Sequence, residues 1–452
     1  MNNFQQLGTA PIGRLLRIYS VPAIISMVVN ALYNLTDRIF IGNIKDVGPM
    51  AITGVGISIP ILLIVVAVAV CMAVGASTNI SLKLGQDKQE EAELIMGNAT
   101  MLSVVLGIVL TVIYFILGDS VLRFFGATDA SIVYAREYTD WLMVGVPHWM
   151  VMFTLSAVMR ADGNPKKSAM VLIIACLINI PLDWLFIFKM GMGIKGASIA
   201  TIIAELVGAA ICVLHFAKRK SNLVFRASSL WPDKGAVQRI FAIGITPFVL
   251  NMSMSATSLV YNHSLKAYGG DLAIGALTTI SSILMVFVMV LFGLMQGMQP
   301  IVGYNYGARK FDRAKQTYMM TAAIGVAVMS FGFVIMQLFP EYCVRLFNDD
   351  PELLALTVDG IHKYAITMPI AGAFMIGSNY ILAIGKAQLS MFCRLLRQVA
   401  LIPALLILPQ FFGLSGVWIA NPISDVVTAV VVFTALYLEF KSYKKKGSAV
   451  DS

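Results

Sequence analysis

Residues 47–82 read VGPMAITGVGISIPILLIVVAVAVCMAVGASTNISL, a stretch without a single charged side chain. A helix needs only about 20 apolar residues to cross the hydrocarbon core of a bilayer. The stretch therefore reads as a membrane span, not as a buried helix of a water-soluble domain. Uncharged runs at 94–118, 240–265, 272–308 and 398–424 say the same. So does the composition, which at 58% hydrophobic and 13% charged over 452 residues lies outside the range of soluble domains. A membrane barrel would need strands of alternating polarity, and no such alternation is present. Marking spans between charged loops predicts an all-α polytopic protein of twelve transmembrane helices, the first near 15–42, the eleventh near 394–412 and the last near 414–438.

The second span also opens an internal repeat. Gly75, Gly85, Pro147, Gly163 and Pro181 are answered 222 residues later by Gly297, Gly307, Pro369, Gly385 and Pro403. Gly193-Ile194-Lys195-Gly196 is answered at a shift of 220 by Gly413-Leu414-Ser415-Gly416. Two pseudo-symmetric six-helix lobes around a central cleft follow as the expected architecture: 1–217, a basic connector at 218–239, 240–440, and a basic tail at 441–452. Because six is even, both lobes enter from one side, the parallel duplication found among secondary transporters. Pro22 and Pro247 fall inside the first span of each lobe, where a proline removes a backbone hydrogen bond and bends the helix. They are hinge candidates, with a static kink as the alternative.

Charge gives the orientation. Lys and Arg collect in cytoplasmic loops, and most of the 33 in this chain lie on the side of the termini, including Lys218, Arg226, Lys234 and Arg239 in the connector and Lys441 and Lys444 in the tail. Both termini are expected in the cytoplasm of a multi-pass cell-membrane protein, with the net charge of +9 facing anionic lipid. These basic residues are spread over loops and form no nucleic-acid reading surface. No GxxxxGK[ST], HExxH or GxSxG motif occurs, so neither nucleotide binding nor enzyme chemistry is expected. The five cysteines are scattered through the spans and the four histidines lack metal-ligand spacing, so no disulfide framework or transition metal is implied.

What remains is polar side chains at helical spacing. Asn30, Asn34 and Asp37 share one face of the first span, Asn179 and Asp183 flank Pro181 in the fifth, and Ser198, Thr201 and Glu205 share a face of the sixth. At ~1.5 Å per residue, Asp37 lies about 12 Å below Lys45, Asp183 about 9 Å below Lys189, and Thr201 about 9 Å below Lys195. Asp37, Asn179, Asp183 and Thr201 are thus expected at one depth, able to surround one Na⁺ or H⁺. Asn34, Glu205 and Asp425 are further candidates, though Thr201 and Glu205 recur at the 220 shift as Asn421 and Asp425, which also suits a shared structural task. Where the first lobe has Asp37 and Asp183, the second has Asn262 and Leu405. The membrane interior reads as acidic or neutral. Of the 26 methionines, Met254, Met285 and Met289 lie on spans expected to border the cleft; with Tyr33 and Gln296 they are candidates to line it, apolar filler being the alternative.

Leu32-Tyr-Asn-Leu-Thr-Asp-Arg-Ile-Phe-Ile-Gly42, Arg160-Ala-Asp-Gly-Asn-Pro165, Asn179-Ile-Pro-Leu-Asp183 and Gln299-Pro-Ile-Val-Gly-Tyr-Asn-Tyr-Gly307 resemble the multidrug and toxic compound extrusion (MATE) family, over about residues 10–440. The resemblance implies export of bulky, mostly cationic, lipophilic compounds in exchange for Na⁺ or H⁺ by alternating access. It implies coupling at Asp37, Asn179, Asp183 and Thr201, with no second-lobe cation site, because spans seven and ten have Asn262, Ser378 and Asn379 in place of acids. No cofactor beyond the coupling ion and no partner beyond small molecules and lipid is expected of what should be a monomer. A flippase for lipid-linked precursors and an ion channel are the rival readings. Basic residues in the cleft would favour the first, and the absence of a pore loop or charged ring counts against the second.

Overall fold

A computed structural model describes residues 5–42, 44, 48–125, 127–129, 131–218, 221–345 and 351–448, and every regular element among them is helical. In chain order these are α1 (Ile12–Gly42), α2 (Gly48–Gly85), α3 (Gln89–Phe124), α4 (Ile132–Ala161), α5 (Pro165–Trp184), α6 (Gly193–Ala217), α7 (Lys234–Gly307), α8 (Phe311–Leu338), α9 (Pro340–Arg345), α10 (Pro351–Tyr364), α11 (Met368–Ala383), α12 (Ala387–Phe412) and α13 (Leu414–Ser448). Twelve candidate membrane spans result among the described residues. Two of them are joined within α7 at Gly270, whose φ of 66° and ψ of −165° break the helix. α10 and α11 make one span through the short 3-10 turn Ala365–Thr367.

The repeat is written in the backbone. Non-glycine residues rarely take positive φ, yet Asp87 (57°) and Arg309 (58°) both do, 222 residues apart. Gly163 (88°) matches Gly385 (85°), and Gly193 (58°) matches Gly413 (57°), so the turns expected there are present in both halves. The Ser168 hydroxyl donates to the Ser156 carbonyl at 2.8 Å, and the Ser390 hydroxyl to the Ser378 carbonyl at 2.8 Å.

The chain divides into two compact units, Met1–Ala10 with Ile25–Phe248, and Pro11–Ile24 with Val249–Ser452. Glycines explain why the beginnings of α1 and α7 change sides. In the first unit a Cβ on Gly75 would sit 2.3 Å from the Ile240 carbonyl oxygen, and one on Gly244 would sit 2.1 Å from that of Cys71. In the second, a Cβ on Gly297 would sit 2.7 Å from Ser20 Cα, and one on Gly293 2.8 Å from Ile24 Cα. Both crossings bring backbones into direct contact, the packing that small residues permit between membrane helices. The unit boundaries, at Ile24 and Phe248, fall beside Pro22 and Pro247.

Within the first unit α4 packs against α2, α3 and α6; within the second α11 packs on α8 and α12 on α13. The spans of α4 and of α10–α11 are the most enclosed, 67% and 72% buried against 22% for α3. These two carry Pro147 and Pro369 and are repeat partners. Apolar side chains left outside, such as Ile116 and Phe411, meet lipid tails at no hydrophobic cost.

Candidate functional site

Inside the first unit lies a cavity of about 220 Å³, lined by Asn30, Tyr33, Trp149, Asn179, Thr201 and Glu205 among others. α1 brings Tyr33 to it, α5 Asn179, and α6 both Thr201 and Glu205. A hydrogen-bonded chain runs along its wall. The Tyr33 hydroxyl lies 3.1 Å from Thr201 Oγ1, the Asn179 amide donates to Thr201 Oγ1 at 3.2 Å, and the same amide reaches Asp183 Oδ1 at 3.4 Å. Asp183 is fully buried, Asp37 nearly so, and the two carboxylates interact electrostatically. Asp183 Oδ2 and Asn179 Oδ1 are buried without a hydrogen-bond partner among the described residues. Buried oxygens are normally satisfied, and these two are acceptors of the type that hard cations take as ligands. Asp37, Asn179, Asp183 and Thr201 are thus gathered in one place, with Glu205 on the cavity wall and Tyr33 in the polar chain. The side chain of Asn34 lies outside the described set.

The second unit has a larger cavity, about 390 Å³, whose walls include Met254, Met285 and Met295. Met289 and Gln296 are half-buried and do not line it. Its polar side corrects the expectation of an acidic or neutral interior, because Arg394 and Arg397 face it. α12 begins at Ala387, earlier than the expected 394, so Arg394 lies about 10 Å and Arg397 about 15 Å into the helix. Arg397 Nε donates to Asp425 Oδ1 at 2.6 Å and its Nη2 to Asn421 Oδ1 at 3.0 Å. Asp425 Oδ2 accepts from Thr367 at 2.8 Å and from Asn421 at 3.3 Å. Asp425 is therefore one member of a saturated ion pair. The spacing Arg394, Arg397, Gln398 was available as a polar helical stripe; placing it at a headgroup boundary concealed it.

The Arg160–Pro165 motif has a structural task. Arg160 Nη1 donates to Ser168 Oγ at 2.8 Å, tying α4 to α5. Asp162 holds the connector: its carboxylate accepts from the Ser221 hydroxyl, from Leu223 N at 3.2 Å and from Asn164 at 3.0 Å. Burial pushes the Asp162 carboxyl up to about 6, against the hydrogen bonds that pull it down. Asn98 completes the docking, its amide donating to the Ser229 and Trp231 carbonyls while its Oδ1 accepts from Asp233 N at 2.7 Å.

A duplicated twelve-span helical chain with a polar pocket in its first unit can be compared with known proteins. A family model described as MatE matches residues 22–185 and 236–407, both repeats. The chain belongs to the MatE family. This is a family of membrane transporters and not of enzymes. The multidrug export protein MepA of Staphylococcus haemolyticus is 24% identical over 419 residues, 93% of this chain and 92% of that one. MepA of Staphylococcus aureus strain NCTC 8325 is 24% identical over 432 residues, 95% of this chain and 94% of the other. Among solved structures, a crystal structure of a MATE protein in the bent conformation superposes with a TM-score of 0.93 at 23% identity, covering 99% of each chain. The fold of this MATE protein is thereby the expected one.

Proposed function

We propose that this MATE protein exports lipophilic, mostly cationic small molecules from the cytoplasm in exchange for Na⁺ or H⁺, with both termini inside and Asp37, Asn179, Asp183 and Thr201 as the coupling site. The observation that carries the reading is the open acceptor pair, Asp183 Oδ2 and Asn179 Oδ1, buried beside Asp37 at the end of a polar chain that starts in a cavity. A second carboxylate in a low-dielectric site disfavours full ionisation of both, and an arriving cation relieves it. A ligand shifts a conformational equilibrium only through differential affinity for its states. The coupling cation is held tightly by one arrangement of α1 and weakly by another, the bend being placed at Pro22. The 24% identical relatives are named as multidrug exporters, which supports the cargo class.

The test uses purified protein in proteoliposomes loaded with a fluorescent lipophilic cation, with Na⁺ and pH gradients imposed separately. One gradient should drive efflux, and Asp183→Asn should remove that drive with the amount of folded protein unchanged. Flux that neither saturates nor follows either gradient would make the protein a channel and end the reading.

A further inference from the structure

The export reading leaves unused the arginine pair in the second-unit cavity. The charges there do not balance. Arg397 is matched by Asp425, whose second oxygen is already taken by Thr367 and Asn421. Arg394 has only the neutral amide oxygen of Asn379, which its Nη2 reaches at 3.1 Å, and its buried Nε has no partner among the described residues. Guanidinium offers five donors in a planar fork suited to carboxylate, sulfonate or phosphate. Among the described lining residues Asp425 is the one acid; Tyr364 and Cys393 are neutral at pH 7 by their ordinary behaviour. One positive charge therefore remains in a cavity buried about 10 Å down a membrane helix, where an unpaired charge is costly and marks a site.

The rest of the lining supplies the other half of a ligand. Met254, Met285, Met295, Met329 and Met375 share it with Phe292, a wall of flexible thioethers that adapts to apolar bodies of different shape. The volume of about 390 Å³ falls within the roughly 300–1,000 Å³ of small-molecule sites. We infer that this cavity binds an amphipathic organic anion, its acidic head on Arg394 and its apolar body along the methionines. The site is separate from the acid cluster of the first unit and does not depend on the coupling ion.

Calorimetric titration of the full-length protein in phosphatidylcholine nanodiscs tests this, with empty discs as blank. The probes are naphthalene-1-sulfonate and trimethyl(1-naphthyl)ammonium, which share a ring and differ in the sign of the head. The sulfonate should bind at least tenfold more tightly. Arg394→Gln should weaken sulfonate binding at least tenfold, with Arg394→Lys intermediate, and Met254→Trp should weaken it by filling the cavity with the arginine intact. Asp183→Asn should leave it unchanged, so failure of the export reading and failure of this site are distinguishable. In phosphatidylglycerol discs the anionic surface weakens sulfonate binding to any site, so the ratio of parent to Arg394→Gln affinity is read: a smaller ratio than in phosphatidylcholine assigns the head to a lipid phosphate and an equal ratio to a soluble anion, and either supports the site. Unchanged sulfonate affinity in monodisperse Arg394→Gln overturns it, as does preference for the ammonium probe. If that variant does not fold, parent-like affinity in Met254→Trp and Arg394→Lys together overturns it.

Discussion

Replacing Asp425 by Asn should cost far more stability than replacing Asp183 by Asn, although both exchange one buried carboxyl for an amide and nearly preserve shape. Asp425 accepts from Arg397 at 2.6 Å, from Thr367 at 2.8 Å and from Asn421 at 3.3 Å. Its loss strands a guanidinium inside the second unit, and breaking a buried pair from one side costs about 3–5 kcal/mol. The Arg397 side chain retains 32% of its exposure, which favours the lower end of that range. Among the described residues Asp183 has one long bond, 3.4 Å from the Asn179 amide, and an oxygen with no hydrogen-bond partner. Asn in its place should change stability by about 1 kcal/mol or less, of either sign. At roughly 2–4 °C per kcal/mol for units of about 200 residues, Asp425→Asn should melt on the order of 10 °C below the parent and Asp183→Asn within a few degrees of it. Thermal unfolding of the purified variants in one detergent reads this directly, and proteoliposome efflux should show the reverse loss of coupling. Equal melting temperatures for the two variants would refute the reasoning, since the acids would then have the same structural weight.

Gly75→Val should lower melting by several degrees, because its Cβ meets the Ile240 carbonyl at 2.3 Å and overpacking costs about 1–3 kcal/mol; Gly56→Ala, with open space around it, should be neutral in the same assay. Asp162 moves from 3.8 when exposed to about 6 when folded, so the folded protein binds that proton more tightly. Its stabilising contribution is full below pH 4 and is lost as pH rises through about 6, an effect of up to about 3 kcal/mol. Melting measured from pH 4 to 8 should show the decline, and Asp162→Asn should flatten it. Pro22→Ala restores one helical hydrogen bond to α1; melting should hold or rise while efflux falls by more than half, and unimpaired efflux would remove Pro22 as a hinge.

Uncharged runs, repeated glycines and prolines were enough to read the helices and the duplication, because both are set by local chemistry: the length needed to cross lipid and the φ values only certain turns require. The gathering of Asp37, Asn179, Asp183 and Thr201 was legible through depth alone, since helical rise converts sequence distance into position along the membrane normal. The arginine pair was not, because charged residues near a span's end are ordinarily solvated; the turn at Gly385, repeat partner of Gly163, was the local signal that α12 starts at Ala387. Nor did sequence show that Asp425 would meet Arg397, a contact between helices whose rotation is fixed by packing. Tyr33, a candidate to line the cleft, lines the first-unit cavity with its hydroxyl 3.1 Å from Thr201.

The glycine crossings also constrain how the molecule is made. Ser20 rests on Gly297 and Ile24 on Gly293, so the beginning of α1, as far as Ile24, finds these neighbours only after residues 293–297 have been synthesised. Until then its packing face has only lipid or other proteins for company. The first unit is likewise incomplete until residues 240–248 arrive, past the connector. Separately expressed repeats would each lack a piece held by the other, and only a mixture of the two would have every crossing available.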